Sequence, residues 1–372
     1  MNSNYYYIKK AFASSLDFIN TLKCGENWKF LPCISGITPL GGEISLGFSC
    51  LALKTYYMLG VWDRQNSKDK NSWTEYIKSF QKKDDTFLGN SFENNSFMDR
   101  NLLKTIDYKK NIKEIIWKNI EKSYILTSKE KLILGETKQA IVTLLQVGDN
   151  TFLPYSGFFI KNEKLESFIN GLDWHNSWNA GGLFSAYVTL LATSNIDNEI
   201  KEIQRKFLLN FLNKIVDKNT GCYSLNTTDF SEMINGAMKV LSALDHLETA
   251  IHYPKQLIDF CLSHFPPPES CFIVDYIYVL FRCSNQLKNK YKYSKITKCL
   301  TKILLPLIKR HYKKDGGFSY FRDRSQTDYY GANISSGNKV SDIHGTSLLI
   351  WALVMITIML GYDDLKVKAI KP

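Results

Sequence analysis

Asp275 stands inside the run CFIVDYIYVLF, Cys271 to Phe281, where it has no helix terminus to cap. A carboxyl group enclosed by apolar residues must be hydrogen-bonded, paired or held with a raised pKa, and a raised pKa suits a proton donor. Asp342 and His344 form a second candidate in SDIHGTSLLIWAL. A histidine next to an acid can be oriented for proton transfer or metal binding, or the two can simply cap and pack. Glu43 in GGEISLGF and Glu232 in SEMINGAM stand where apolar helical segments begin. Acids there are favoured by the helix dipole alone, yet they are also placed to work as acid or base. Trp174, His175, Trp178 and Asn179 in DWHNSWNA, with Tyr223, Asn235, Tyr320 and Tyr330, supply a lining. Such residues could stack on sugar rings, stabilise a carbocation through their π faces, or pack as ordinary wall.

These residues are far apart in sequence, so the elements that carry them must bring them together. Ile8, Phe12, Leu16, Ile19 and Leu22 recur at helical spacing, which predicts a helix with one buried face. A loop rich in Pro and Gly follows, and then EISLGFSCLALKTYYMLG is apolar or small all round, which predicts an enclosed helix. The same plan recurs. Outer helices are expected at 71–87, at 200–215 and in YPKQLIDFCLSHF, and a helix kinked near Pro306 is expected in SKITKCLTKILLPLIKRHY. Inner helices are expected to start near 43, 138, 180, 233, 272 and 342, the second of them spanning Gly135 to Gly148. Six such hairpins close an all-α (α/α)6 toroid, read as one domain over 1–372 with an irregular insertion at about 93–131. In such a ring the inner-helix N-termini share one mouth, and their positive dipole ends favour anionic groups there.

With 44% hydrophobic and 13% aromatic residues in 372, the chain can bury a large core. The net charge of +11 fits an anionic partner, such as a phosphate-bearing substrate or peripheral contact with an anionic membrane. Lysines scattered over helical surfaces account for much of it, and without an Arg-rich cluster or an RNA-binding signature no nucleic-acid partner is expected. Eight cysteines with no CxxC pair read as small hydrophobes, which with a start lacking an apolar signal core suggests a cytoplasmic protein. The most apolar run, Leu348 to Leu360, is shorter than the roughly 20 residues a membrane span needs. No HExxH, Walker, Rossmann or GxSxG signature is present. The oligomeric state is left open.

Gly316-Gly317-Phe318 with DIHGTSLLIWAL resembles the terpenoid cyclase and protein prenyltransferase toroids, over most of the chain as a repeat plan and over the last sixty residues at motif level. In the prenyltransferases a histidine at the start of the last inner helix binds zinc. Asp342, His344 and Thr346 look similar, but Gly345 interrupts the pattern, and Phe272 and Val274 stand where the other ligands would be. No metal and no other cofactor is therefore expected. The Asp-x-Asp-Asp acid and the Asp-Asp-x-x-Asp box of the cyclases are absent, and Asp84-Asp85 reads as a solvated turn. INGAMKVLSALDHL and WNAGGLFSAYVTLL also resemble inner helices of six-hairpin carbohydrate-active enzymes. The first resemblance implies acid-initiated cyclisation or isomerisation of an isoprenoid-like substrate without metal. The second implies hydrolysis, elimination or epimerisation of a glycan held in the central cavity. A non-catalytic binding scaffold is the third reading.

Overall fold

Segments apolar on one face and segments apolar all round sort into two layers of helices. The computed structural model describes residues 3–82, 93–120, 126–155, 157 and 161–372. In chain order its helices are α1 (Ser3–Thr21), α2 (Pro39–Glu43), α3 (Leu46–Met58), α4 (Ser67–Lys78), α5 (Arg100–Leu103), α6 (Tyr108–Ile120), α7 (Ser128–Gln146) and α8 (Asn162–Asn170). They continue as α9 (Ser177–Thr193), α10 (Asn198–Ile215), α11 (Phe230–His246), α12 (Pro254–Ser263), α13 (Ser270–Gln286), α14 (Tyr293–Cys299), α15 (Leu305–Lys309) and α16 (Ile343–Met359). Among the described residues the only strands are two short antiparallel hairpins, β1–β2 (Lys23–Cys24 with Lys29–Phe30) and β3–β4 (Asp328–Tyr329 with Ala332–Asn333).

Six helices pack pairwise in a closed cycle, α3 on α7, α7 on α9, α9 on α11, α11 on α13, α13 on α16 and α16 back on α3. This is the inner wall of the expected ring. Its members are the segments without a polar face: α16 buries nearly every residue from Ile343 to Met359, and α3 all but one of its residues. Each fully enclosed Leu, Ile or Phe contributes about 1.5–3 kcal/mol of transfer free energy, so the wall needs the second layer to exclude water. α1 covers α16 and α3, α4 covers α3, α6 lies on α7, and α12 and α15 lie on α13. On α9 the cover is aromatic and polar: Phe168 of α8 packs on Tyr187, and the Tyr187 hydroxyl donates to Gln204 of α10 at 3.0 Å. No helix of the described residues is long and apolar enough to cross a membrane, and all eight cysteines are free thiols.

Several boundaries differ from the sequence reading. The second inner helix begins at Ser128, not near 138, because Thr127 and Glu130 form a reciprocal capping box that starts it well before Gly135. α4 begins at Ser67, capped by Asn66, and ends at Lys78, while the Asp84-Asp85 turn lies outside the described residues. Pro306 disturbs its helix as expected, through a π turn over Leu300–Leu304 immediately before it. Glu43 is not in the first turn of an inner helix. It is the exposed last residue of α2, 3.8 Å from Lys104.

The two ends of the ring differ. At the N-terminal end of the inner helices, the segment 313–342 folds across the mouth. At the other end the chain beyond α16 crosses from α3, where the Lys368 amide donates to the Met58 carbonyl at 2.9 Å, to α11. There Ser242 Oγ and His246 Nε2 lie 3.2 and 3.3 Å from the Pro372 carbonyl. In the order of packing α3 and α11 stand opposite one another, so this tail spans the lower opening.

Gly345, in the first turn of α16, lets the mouth segment lie directly on the helix. A Cβ there would fall 2.3 Å from the Tyr320 amide nitrogen and 2.5 Å from the Ser319 carbonyl carbon. Gly345→Ala should therefore cost about 1–3 kcal/mol, read as a lowered urea midpoint; an unchanged midpoint would show that the segment is not clamped to α16.

Candidate functional site

Two of the acids expected at the inner-helix starts, Asp342 and Glu232, accept from backbone amides of helix starts. Asp342 Oδ1 accepts from the Gly345 amide at 2.7 Å, and its Oδ2 accepts from the amides of Tyr320 (2.6 Å) and Gln326 (3.0 Å). Burial pushes this carboxyl up to about 6, while the backbone donors pull it down. With both oxygens accepting from amides, Asp342 caps α16 and anchors the loop. Glu232 accepts from the Trp178 amide at 2.9 Å and so ties α11 to α9. The start of α3 is capped from a distance by Asp99, whose Oδ2 accepts from Ser45 and Leu46.

The expected lining residues divide. Trp174 is 2% exposed and packs on Phe184 and Phe211 in the wall. Tyr223 is wholly buried, with its hydroxyl 2.8 Å from His252 Nδ1. Both belong to the interlayer core, correcting their assignment to the cavity. His175 and Asn179 are exposed on the rim. Trp178 is exposed beside Phe272, and Tyr320 lies across His344, ring centroids 5.1 Å apart. Tyr330 is half exposed, yet its hydroxyl lies 2.9 Å from where a Cβ of Gly135 would stand, which places it over α7.

One to three turns below these caps lies a second tier that the sequence reading missed apart from Asn235 and Asp275. α3, α7 and α11 contribute Lys54, Lys138 and Lys239. Lys54 donates to Gln139 Oε1 and Lys138 to Ser185 Oγ, both at 3.1 Å; Lys239 has no hydrogen bond, and none of the three has a carboxylate within ion-pair reach among the described residues. Burial drives Lys54 down to about 8. It drives Lys138 down to about 7, with the charges of Lys239 and Lys54 pushing the same way. Burial takes His344 down to about 4, again with Lys239 and Lys54 adding to the effect. Lys54 and Lys239 thus act electrostatically on both Lys138 and His344.

His344 is consequently neutral near pH 7. Its Nδ1 lies 2.9 Å from Gln326 Oε1, an acceptor, so the ring hydrogen sits on Nδ1 and the Nε2 lone pair is free. Beside it Tyr329 packs edge-on at 6.3 Å and donates to Glu136 Oε1 at 3.2 Å. Glu136 is fully buried, its other oxygen has no partner, and burial with the nearby Asp99 charge pushes it up to about 8. Asp275 also makes no hydrogen bond; burial pushes it up to about 6 against the pull of Lys239. Asn235 leaves both ends of its amide unpartnered at 1% exposure. Near pH 7 the site thus holds lysines without ion-paired carboxylates, a neutral His344 and a protonated Glu136.

Lys54, Gln139, Lys138, Ser185 and Asn235 make this tier polar, unlike the aromatic lining expected for an isoprenoid substrate. An opening of about 580 Å³ lies among Phe80, Gln81, Lys82, Glu93 and Arg100. Of its carboxylates, Glu93 is paired with Lys82 and Lys129 at 2.7 and 2.6 Å and Asp99 accepts from the Ser45 and Leu46 amides, and the opening contains none of the second-tier groups. Among the described residues no group of three or more His, Cys, Asp or Glu is arranged to hold a metal ion.

No family model and no curated protein matches the chain. Among solved structures the chain is similar to a polysaccharide lyase, at 12% identity and a TM-score of 0.41, over 95% of this chain and 98% of that one.

Two substitutions should stabilise the fold with opposite pH trends. A lysine whose folded pKa is lowered penalises folding fully below about pH 7, and the penalty fades as pH rises toward 10.5. Lys138→Met should therefore gain about 2 kcal/mol at pH 6 and progressively less toward pH 10. An acid whose folded pKa is raised penalises folding above its folded value, so Asp275→Asn should gain about 2 kcal/mol above pH 6 and nothing below pH 4. Urea unfolding across pH measures both, and flat differences would mean that these groups carry no burial penalty.

Proposed function

We propose that this chain is an enzyme that binds an acidic polysaccharide in the mouth of the ring and cleaves it by β-elimination beside a uronate. The observation that carries the reading is the set of three inner-wall lysines without acidic partners, facing a neutral histidine whose Nε2 is free. Burying unpaired cations is costly, and the cost is recovered when an anion enters.

Elimination asks for three things. A cation must neutralise the substrate carboxylate so that the adjacent C5 proton becomes acidic; Lys239 and Lys54 stand nearest His344 electrostatically and take this part. A base must remove that proton, and His344 Nε2 is the free lone pair; its basicity rises as the bound carboxylate offsets the lysine charges. The C4–O bond then breaks as the C4=C5 double bond forms, and the departing oxygen needs a proton. The Tyr329 hydroxyl, backed by the protonated Glu136, supplies it. The imidazolium then gives its proton to solvent and the tyrosinate takes one back. Hydrolysis by a carboxyl pair is the poorer fit, because Glu43 is outside the ring while Glu232 and Asp342 are occupied with backbone amides.

A panel of uronate-containing and neutral polysaccharides tests this. Ultraviolet absorbance from the unsaturated uronate product should rise only with the acidic substrates. His344→Ala should lower kcat by about 10²–10⁴-fold, and Lys239→Met should weaken binding and lower kcat together. New reducing ends without the absorbance would overturn elimination, and failure to bind any acidic polysaccharide would overturn the substrate class.

A further inference from the structure

α6 inverts the usual placement of residues on a surface helix. At 100° per residue, Tyr108, Ile112, Ile115 and Ile116 fall in one sector about a third of the circumference wide. That sector faces solvent: the four are 76%, 43%, 44% and 51% exposed. The side turned to the protein is polar. Asn111 is buried, and Glu114 accepts from the Ser128 amide and hydroxyl at 2.7 and 2.8 Å, so its charge is spent at the start of α7. Between the apolar sector and that side come Lys109, Lys113, Trp117 and Lys110, all exposed, with Trp117 at 60%. Asp107, before the helix, accepts from the Lys110 amide at 3.1 Å as a cap. The outward surface of α6 therefore carries apolar side chains, a tryptophan and three lysines, with its own carboxylate folded inward.

We propose that α6 is a membrane-surface anchor, lying in the headgroup plane of an anionic bilayer with Ile112, Ile115 and Ile116 inserted and Lys109, Lys110 and Lys113 on lipid phosphates. The composition is that of in-plane helices, in which apolar insertion and lysine attraction are both needed because neither binds firmly alone. Trp117 sits among the lysines, at the depth where indole rings settle. Charge selects the occupant: an apolar protein partner would have no use for the lysines, and a second copy of the same basic face would be repelled. The inference is independent of the reaction proposed for the ring.

The test is co-sedimentation of the full chain with phosphatidylcholine vesicles, with and without about one-third phosphatidylglycerol, at low and high salt. Binding is expected only to the anionic vesicles, reduced tenfold or more by Lys109→Gln with Lys113→Gln and abolished by Ile112→Glu with Ile116→Glu. The lysine variant alters only exposed side chains, so its loss of binding cannot come from unfolding. Trp117→Phe should remove the vesicle-induced blue shift of the fluorescence. No binding to anionic vesicles, equal binding to neutral ones, or a dimer dissolved by Ile112→Glu in place of vesicle binding would each overturn the proposal.

Discussion

The Asp342 carboxylate is the small group on which the mouth of the ring depends. It draws three amides, from Tyr320, Gln326 and Gly345, onto two oxygens. The consequence is a loop folded back over the start of the most apolar helix in the chain. That fold-back lays Tyr320 over His344, brings Gln326 to its Nδ1 and sends the chain on to Tyr329. Supporting bonds keep the loop from lifting: Thr346 pairs with both backbone groups of Phe318, Asp315 holds Ser341, and His311 bridges the carbonyls of Ser319 and Pro268. A charge at a helix N-terminus is ordinarily a minor stabiliser; here it sets the tautomer of a histidine.

The inner wall combines an apolar frame with a few strongly disfavoured charges. Leucine, isoleucine and phenylalanine in both layers supply the stability, and Lys54, Lys138, Glu136 and Asp275 draw on it. Ordinary folding would pair these acids and bases. Their separation leaves Glu136 protonated and Lys138 partly neutral near pH 7, which is the state proton transfer needs.

The ring was legible in the sequence because all-round apolar segments such as GFSCLALKTYYM and LLIWALVMITIML have no other place to go. The boundary of α7 was not, because Gly135, Glu136 and Lys138 break its apolar pattern, with Glu136 bonded to Tyr329 and Lys138 to Ser185 of α9. Acids at helix starts looked like catalysts and are mostly caps; Asp99, which caps α3 from far along the chain, has no local signature at all. A usable signal was present in another form. Lys54, Lys138 and Lys239 each interrupt an apolar run at a similar depth, and an isolated lysine inside a buried helix is as anomalous as the aspartate at 275. The resemblance to isoprenoid enzymes rested on the turn and the helix start, which are architectural and say little about what the wall presents.

The tail that runs from Met58 to Ser242 and His246 gives the ring a floor. A cylinder open at both ends could be threaded by a long polymer, with substrate and product moving in one direction. With the lower end crossed, the molecule is a cup. Whatever enters must leave past the same tyrosines and tryptophan at the rim, so release competes with entry, and a long chain can engage only by its tip or by lying across the brim.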